Sequence, residues 1–567
     1  MKQILVCMLA GAAMMAPMTA APGSTGPALD SEAVSAARLL SFGRWFTDAH
    51  GRVVMLRGGN VVQLVGDAHR LGPGGGDGRW QDATPGLMAA AGFNAVRLAI
   101  FMDRVAPTPG RIDQAYLDAV AATIAAYKRH GIATLIDFHQ DEFGPSVGIR
   151  GMPKWMTLTD GLKRNPALQF PNGYFKDPAV QRAFDNFWAN RSTASGKGVQ
   201  DAYIEAVAAV ARRFRGEAAV FGIDLMNEPA TGTPCSRPDP VSADCPELEQ
   251  KLLAPFYRKA AAAVAAAAPH LILFFEPFML QGALGIAIDT PIPSIGRSGL
   301  SFHNYGPFRP TREKVSEGAL AVALRRRAAL INTEWGFSND AADIASQARD
   351  FDARLIPWLA WARGPFEGLV NPAVQKDPPA NRSLVLRAYA RPYPERTAGT
   401  PLALTFDADK AVLDYRWSTT GPDGLSRAGL ATEIRMPSPS FPRGYDIHVV
   451  GGKVISARDA ALLGIVANPG ASEVRVIATG RAVLAPLAPP RPIARAGLSV
   501  DSLLSDLLRD PASKAVLARH LPTLVSSKEI GLAPQISLRS MQPYLPEMSD
   551  EVLQQIDREL ATLPHRP

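Results

Sequence analysis

The sequence predicts a (β/α)8 barrel followed by a small β-sandwich and a short helical tail, and three features of the chain lead there. Between about residues 40 and 390, short β-rich runs alternate with longer Ala-rich stretches at helical spacing, the texture of a parallel α/β fold. After Tyr389 the texture changes to short β-like runs separated by Pro and Gly. The chain is 567 residues long, 47% apolar and 20% charged, enough for two or three folded units with ordinary cores. Those numbers exclude a small disulfide-stapled peptide and a mostly disordered chain.

At the N-terminus, Lys2 precedes an apolar stretch over residues 4–15, and small residues follow at Thr19, Ala20 and Ala21. Residues 1–20 therefore read as an export signal, with the mature chain starting near Ala21 in a secreted or periplasmic location. The stretch is too short to span a bilayer, and no other run approaches about 20 uninterrupted apolar residues, so a soluble or peripheral protein is expected. Of the three cysteines, Cys7 leaves with the signal. Cys235 and Cys245 flank a Pro-containing loop and, in an exported chain, favour a disulfide over a metal site, which would need more ligands than this segment offers. Such a short closure contributes about 2–3 kcal/mol by constraining the unfolded loop.

The catalytic barrel is assigned to residues 40–390. Its expected strands are 53–56, 95–100, 133–138, 220–226, 271–275, 300–303, 328–333 and 355–361. Helices are expected between them, among others 114–130, with Gly131 after its end, and 201–214. A doubly wound nucleotide-binding sheet fits less well, because the glycines of 72–78 have neither the strand before nor the helix after that a phosphate loop requires. The β-sandwich occupies 391–484, with expected strands at 403–406, 412–417, 431–435, 445–450, 463–467 and 472–478. Pro486, Pro489, Pro490 and Pro492 make 485–497 a stiff linker. The tail, 498–567, reads as short amphipathic helices, the clearest capped by Ser549 and carrying Val552, Ile556 and Leu560 on one face. Sixty Lys and Arg against 53 Asp and Glu leave a net charge of only +7, scattered apart from the run 325–327, so a nucleic-acid partner is not indicated.

The chemistry concentrates at strand ends. Strand four ends in Leu225-Met226-Asn227-Glu228-Pro229 and strand seven in Ile331-Asn332-Thr333-Glu334-Trp335-Gly336, which places both carboxylates on the face where barrels build active sites. Cleaving a glycosidic bond needs an acid on the leaving oxygen and a second carboxylate at the anomeric carbon, about 5 to 5.5 Å away when configuration is retained. Arg97, His139 in Asp137-Phe138-His139-Gln140-Asp141, and His303-Asn304-Tyr305 lie at other strand ends. A nearby Arg and a Tyr hydroxyl would keep a nucleophilic carboxylate ionised. Taken singly, His139 or His303 also fits a hydrogen-bonded core histidine, and Arg97 the partner of a structural acid. No metal site or cofactor is indicated.

The series Arg57-Gly58-Gly59-Asn60, 94–98, His139-Gln140-Asp141, Asn227-Glu228-Pro229, His303-Asn304-Tyr305 and Thr333-Glu334-Trp335-Gly336, in that order, resembles glycoside hydrolase family 5. The text at 138–141, 151–155, 183–188 and 393–400 is similar to the endoglycoceramidase branch, and the resemblance covers roughly residues 40–480. It implies a secreted retaining β-glycosidase that parts a glycan from ceramide or a similar lipid, with peripheral contact to membranes or micelles. Glu228 is then the acid/base, Glu334 the nucleophile and Asn227 the contact to the sugar 2-hydroxyl. His139, His303, Tyr305 and Trp361 line the subsite at the cleaved bond, with Asp141 as a further sugar contact and Arg97 beside the nucleophile. An apolar groove for the lipid would adjoin the pair, with Phe278, Met279 and Leu280 partly exposed beside Glu228. The chain departs from the family where Gln63 and Leu64 stand near the position of a sugar-contacting Lys, and where the cysteine-bearing loop 231–246 follows directly on Glu228. The competing readings are an endo-β-glucanase or other β-glycosidase on non-lipid glycans and, less favoured, a non-catalytic glycan- or lipid-binding protein, which has no need of a matched acid and nucleophile.

Overall fold

The first described strands sit outside the barrel they lead into. The computed structural model describes residues 38–66, 82–168, 170–233, 246–279, 288–295, 297–306, 309–336, 340–361, 379–487, 498–502, 504–526, 537–538 and 548–563. The export signal at 1–20, Cys235 and Cys245, and most of the 485–497 linker lie outside the described residues. Strands β1 (Leu40–Phe42), β2 (Trp45–Thr47) and β3 (Val53–Val54) form an antiparallel unit, β1 with β2 and β2 with β3. The barrel follows as β4 (Arg57–Val61), β5 (Ala95–Ile100), β6 (Ala133–Phe138), β7 (Val220–Asp224), β8 (Ile272–Phe275), β9 (Ser298–Asn304), β10 (Ala329–Trp335) and β11 (Trp358–Ala360). These eight are parallel and close in sequence order, β11 returning to β4. Strands β4 to β8 are buried along their whole length, so β8 reads as a continuous apolar run and β5, β6 and β7 as mainly apolar runs holding Arg97, Asp137 and Asp224, rather than as alternations.

The first barrel strand corrects the sequence expectation of 53–56. Val53 and Val54 pair instead with the sandwich, and Arg57–Val61 takes the barrel position. Apolar pattern points the wrong way here because Arg57 is buried through compensation: its guanidinium meets Asp352 at 2.8 Å and the Ile356 carbonyl at 2.6 Å. Gly58 has a steric reason, since a Cβ there would fall 1.7 Å from the Ala95 carbonyl oxygen on β5.

The helices start where capping chemistry allows. Asp113 accepts from the Tyr116 amide at 3.0 Å to open Gln114–Lys128, and Gly131, at φ +77°, lets the chain leave it. Asp177 caps Pro178–Trp188, where Pro178 needs no amide partner, and Asp340 caps Ala341–Ala353.

Beyond the barrel come β12 (Tyr393–Thr397), β13 (Thr400–Asp407), β14 (Val412–Ser418), β15 (Ala431–Arg435), β16 (Tyr445–Val450), β17 (Gly452–Val454), β18 (Leu462–Ala467) and β19 (Glu473–Gly480). They build a sandwich of two sheets, ordered β1-β2-β3-β12-β15-β18-β17 and β13-β14-β19-β16. Thus residues 40–54 add strands to the C-terminal domain before the chain enters the barrel. Phe46 on β2 reaches the barrel floor and packs against Phe221 and Phe274, each 6.0 Å away between ring centres. It joins a buried cluster with Leu56, Leu135 and Ile331, so the N-terminal end of the barrel is plugged and the opposite mouth is left for a site. The tail helices Leu504–Arg509, Pro511–His520 and Asp550–Ala561 share a core of their own around Leu507, Leu517, Ile556 and Leu560. Ser549 caps the last of them, accepting from the Val552 amide at 3.3 Å, as its sequence position predicts.

Asp352 joins barrel and sandwich by pairing with Arg57 at 2.8 Å and with Arg391 at 2.6 Å, all three buried. Asp352→Ala strands two guanidiniums away from water and should cost about 3–5 kcal/mol, read as an earlier urea unfolding midpoint. Asp352→Asn, which keeps one acceptor, should lose less; equal stability of all three proteins would contradict the pairing.

Candidate active site

Arg97 lies inside the barrel on β5 and has no solvent exposure, so its charge has to be met entirely by neighbours. Four strands supply them. Asp137 from β6 lies 3.0 Å from Nη2, Asp224 from β7 takes Nε at 2.9 Å, Glu276 after β8 takes Nη2 at 2.8 Å, and Glu334 on β10 takes Nη1 at 2.6 Å. Nη1 also donates to Asn60 Oδ1 at 3.2 Å and Nη2 to Asn227 Oδ1 at 3.0 Å. Burial works to lower the pKa of this guanidinium, but the surrounding carboxylates outweigh it and hold Arg97 well above its ordinary value.

Glu334 is fixed at both oxygens. Oε1 accepts from Arg97, and Oε2 accepts from the Tyr305 hydroxyl at 2.8 Å. Burial pushes its carboxyl up to about 6, with the charge of Glu228 adding to the rise and His303 and Arg97 opposing it. Glu228 stands across from it and is the more open of the two, with a side chain 12% exposed against 5% for Glu334. Its Oε1 lies 2.8 Å from His303 Nδ1. The ligand atoms of Glu228, His303 and Glu334 all fall within 4.8 Å of one another. That separation suits a pair acting on one anomeric centre from opposite sides, about 5 to 5.5 Å in retaining enzymes.

Each ring nitrogen of His303 faces acid. Nδ1 has Glu228 at 2.8 Å and Glu334 at 3.6 Å, and Nε2 has Glu276 Oε1 at 3.2 Å. Burial works against a charged ring, yet Glu276 and Glu334 more than offset it and hold the imidazole protonated well above the usual range. The same three groups are the cluster of potential metal ligands among the described residues. An imidazolium and the Arg97 guanidinium already occupy the positively charged places there, which makes the set a poor host for a divalent cation.

The turn carrying Glu228 is held on each side. Asn227 Nδ2 donates to the Gln140 carbonyl at 3.0 Å, and Gln140 Nε2 donates to the carbonyls of Asn227 and Glu228 at 2.9 and 2.8 Å. A second wall stands beside the pair. His139 stacks on Trp361 with ring centres 5.1 Å apart and planes 13° from parallel, and its Nδ1 lies 2.7 Å from Asp137 Oδ2. Its Nε2 lies 3.5 Å from Asp141, which Arg150 also contacts. Burial would lower His139, but Asp137 and Asp141 outweigh it and lift the ring to about 9, while Arg150 and His139 hold Asp141 well below the carboxylate range despite its burial. Asp137 touches both Arg97 and His139, so this wall and the Glu pair belong to one hydrogen-bonded body.

All nine residues singled out from sequence as catalytic or sugar-binding fall in this body. Sequence reasoning quoted Asn60 in the family series without giving it a role, and missed Asp224, Glu276 and Arg150. A signal for Glu276 exists: Phe275-Glu276-Pro277 repeats at the end of β8 the Glu-Pro ending of Glu228-Pro229. The exposed apolar trio is corrected in part. Phe278 is buried and packs edge-on against Trp188, with ring centres 6.2 Å apart, because Trp188 and Phe256 extend the core beneath it. Met279 is half-buried, and Leu280 lies outside the described residues.

Comparison with known proteins follows the same division of the chain. Residues 58–367 match the family model described as cellulase (glycosyl hydrolase family 5), and residues 391–476 match the glycoside hydrolase family 5 C-terminal domain. The chain is 29% identical over 454 residues to endoglycoceramidase I of Rhodococcus hoagii, covering 75% of this chain and 85% of that one. It is 23% identical over 439 residues to an endoglycoceramidase of Hydra vulgaris, covering 70% and 80% respectively. Endo-glycoceramidase II from Rhodococcus sp., solved as a lactosyl-enzyme intermediate, superposes with a TM-score of 0.61 at 26% identity over 78% of this chain and 100% of that one.

Proposed function

The chain belongs to glycoside hydrolase family 5 and is a retaining O-glycoside hydrolase, and from that premise we propose that it cleaves the bond between a glycan and ceramide or a similar lipid. The observation that carries this reading is the Glu228–His303–Glu334 cluster, within 4.8 Å at the open end of the barrel, in a chain that aligns with endoglycoceramidases across most of its length. Support for the lipid aglycone comes from those relatives, one of which, endo-glycoceramidase II, has been solved with ganglioside GM3.

In the proposed reaction Glu334 attacks the anomeric carbon while Glu228 gives its proton to the glycosidic oxygen. The glycan becomes an ester on Glu334 and the lipid leaves as an alcohol. Glu228, now a carboxylate, takes a proton from water; the water oxygen displaces Glu334, and the glycan is released with its configuration retained. Arg97 and Tyr305 both donate to Glu334, so they favour its anion before attack and fix which lone pair faces the sugar. The His303 Nδ1 proton stabilises Glu228 once it has given up its own. Asn227 spends one amide hydrogen on the Gln140 carbonyl and has the other for the sugar 2-hydroxyl. Trp361, with His139 and Asp141 beside it, provides an aromatic face and polar partners for the sugar at the cleaved bond.

Export by the signal at 1–20, a Cys235–Cys245 disulfide and peripheral contact with membranes or micelles complete the proposal, since a ceramide glycoside presents its sugar at such a surface. The family description, cellulase, makes soluble cello-oligosaccharides the competing substrate.

The nucleophile has to be ionised, and burial holds Glu334 at about 6. Activity should therefore rise with pH through the Glu334 transition, giving kcat/KM an acid limb near pH 6 and a fall on the alkaline side as the pair loses its shared proton. Both limits describe the pair. A profile flat from about pH 4 to 9 with chemistry rate-limiting would contradict this.

A lipid aglycone buries methylenes at about 0.8 kcal/mol each, so kcat/KM on a glucosylceramide or lactosylceramide series should climb steeply with acyl length and respond to detergent. Faster cleavage of cello-oligosaccharides with no response to lipid length would remove the lipid assignment and leave the glycosidase one standing.

A further inference from the structure

Glu276 follows β8 directly and is buried, yet it stands outside the two carboxylates that meet the substrate. Its partners are all donors. Oε1 accepts from Arg97 Nη2 at 2.8 Å and lies 3.2 Å from His303 Nε2, and Oε2 accepts from the Glu228 backbone amide at 2.9 Å. Its own backbone is anchored where the Tyr257 hydroxyl meets the Glu276 carbonyl at 2.5 Å. Glu228 has φ +42°, a left-handed conformation that a residue with a Cβ seldom adopts without outside support. That support is two-sided: Glu276 grips the amide before the Glu228 side chain and Gln140 grips the carbonyl after it.

We propose that Glu276 is a positioning residue for the reaction: through one carboxylate it sets the left-handed Glu228 backbone and the His303 ring together, so that the acid/base group and the imidazole that backs it face the substrate in fixed register. The inference rests on the reading of Glu228 and Glu334 as the reacting pair. Glu276 acts through its neighbours, the Arg97 guanidinium, the His303 ring and the Glu228 amide.

The geometry requires a carboxylate. A carboxylate only accepts: the Arg97 guanidinium and the Glu228 amide donate to it, and the His303 ring stands 3.2 Å away as its charge partner. Glutamine has the same shape but turns a donor either toward the Glu228 amide or toward Arg97 and His303, so one side of the clamp must open. The lost charge matters as well. His303 is faced by Glu228, Glu276 and Glu334, with Tyr305 beside its ring and Arg97 and Asp224 behind Glu276, and Glu276 is the foremost of the charges that keep it protonated. Without that charge the ring tends to neutral, and Glu334 loses a cation 3.6 Å from its Oε2. The charge removed from Glu276 sits on the far side of that ring, so the loss of the nearer cation dominates and Glu334 should ionise at higher pH.

The test uses the full chain and an activated aryl β-lactoside or β-cellobioside, whichever the wild type turns over, with Glu276→Gln, Glu276→Asp and Glu334→Gln in parallel. Glu276→Gln should lower kcat by about 100-fold or more with KM within about threefold, and should move the acid limb of kcat/KM upward by about one pH unit. Glu276→Asp, which keeps the charge on a shorter arm, should leave the limb near its wild-type place while recovering part of kcat. A Glu276→Gln enzyme with kcat within about threefold of wild type and an unmoved limb overturns the proposal. Activity surviving in Glu334→Gln overturns the underlying site reading instead, which keeps the two failures apart. Should the Gln variant fail to fold, wild-type enzyme labelled with 15N-histidine decides, with the His303 signal assigned from His303→Asn: a ring charged at pH 7 supports the clamp, and a neutral ring overturns it.

Discussion

One buried guanidinium organises the mouth of this barrel. Arg97 faces Asp137, Asp224, Glu276 and Glu334, contributed from four different strand ends, and none of these acids could be buried so close together without it. The arrangement is demanding in geometry as well as charge, because the planar fork of Arg97 presents separate donors in separate directions and each carboxylate takes its own. The proposed nucleophile is thus held by the same side chain that fixes the acid under the His303 ring. A change at any of these strand ends disturbs the others through Arg97, and its effect on turnover need not be local.

The rest of the fold delivers those ends to one place. Phe46, on a strand that precedes the barrel in sequence but belongs to the sandwich in space, closes the floor against Phe221 and Phe274. The sandwich and the barrel are further tied by Asp352, whose two arginine partners come one from each. With the floor closed, the strands can present polar residues only at their C-terminal ends, and the charged cluster forms there. The helical tail has a separate core around Leu507, Leu517 and Ile556, and none of its described residues enters that cluster.

What could be read from the sequence follows from which physical signal each element carries. Strands such as Ala95–Ile100 and Ala133–Phe138 are buried along their length and apolar but for Arg97, Thr134 and Asp137, and that burial on both faces made them legible. Glu228 and Glu334 were legible because they end two different barrel strands on the same face, a paired placement that neither Glu suggests alone. Arg57–Val61 was hidden because its arginine is buried by pairing and its glycines by close approach to β5, neither of which leaves an apolar pattern. Tyr393–Thr397 was missed for a similar reason: Glu395 and Arg396 are buried through Arg435 and Glu433, whereas in sequence they look like a solvated pair. Asp224 shares this trait, since an acid matched by a distant arginine is indistinguishable from a surface acid until the chain is folded, whereas Glu276 carried one cue, its place before Pro277 at the end of β8. Phe278 erred in the opposite direction, an aromatic expected at a groove that the core beneath it absorbs.

In the proposed reaction Glu334 forms the covalent bond to the sugar while Glu228 manages the proton. A 2-deoxy-2-fluoro β-glycoside with a good leaving group forms the glycosyl-enzyme ester quickly and releases it slowly, so it traps the nucleophile for digestion and mass spectrometry. The expected result is time-dependent inactivation and one glycosyl unit on the peptide bearing Glu334. A label on Glu228 or Glu276, or turnover of the reagent with no covalent adduct at any stage, would contradict it.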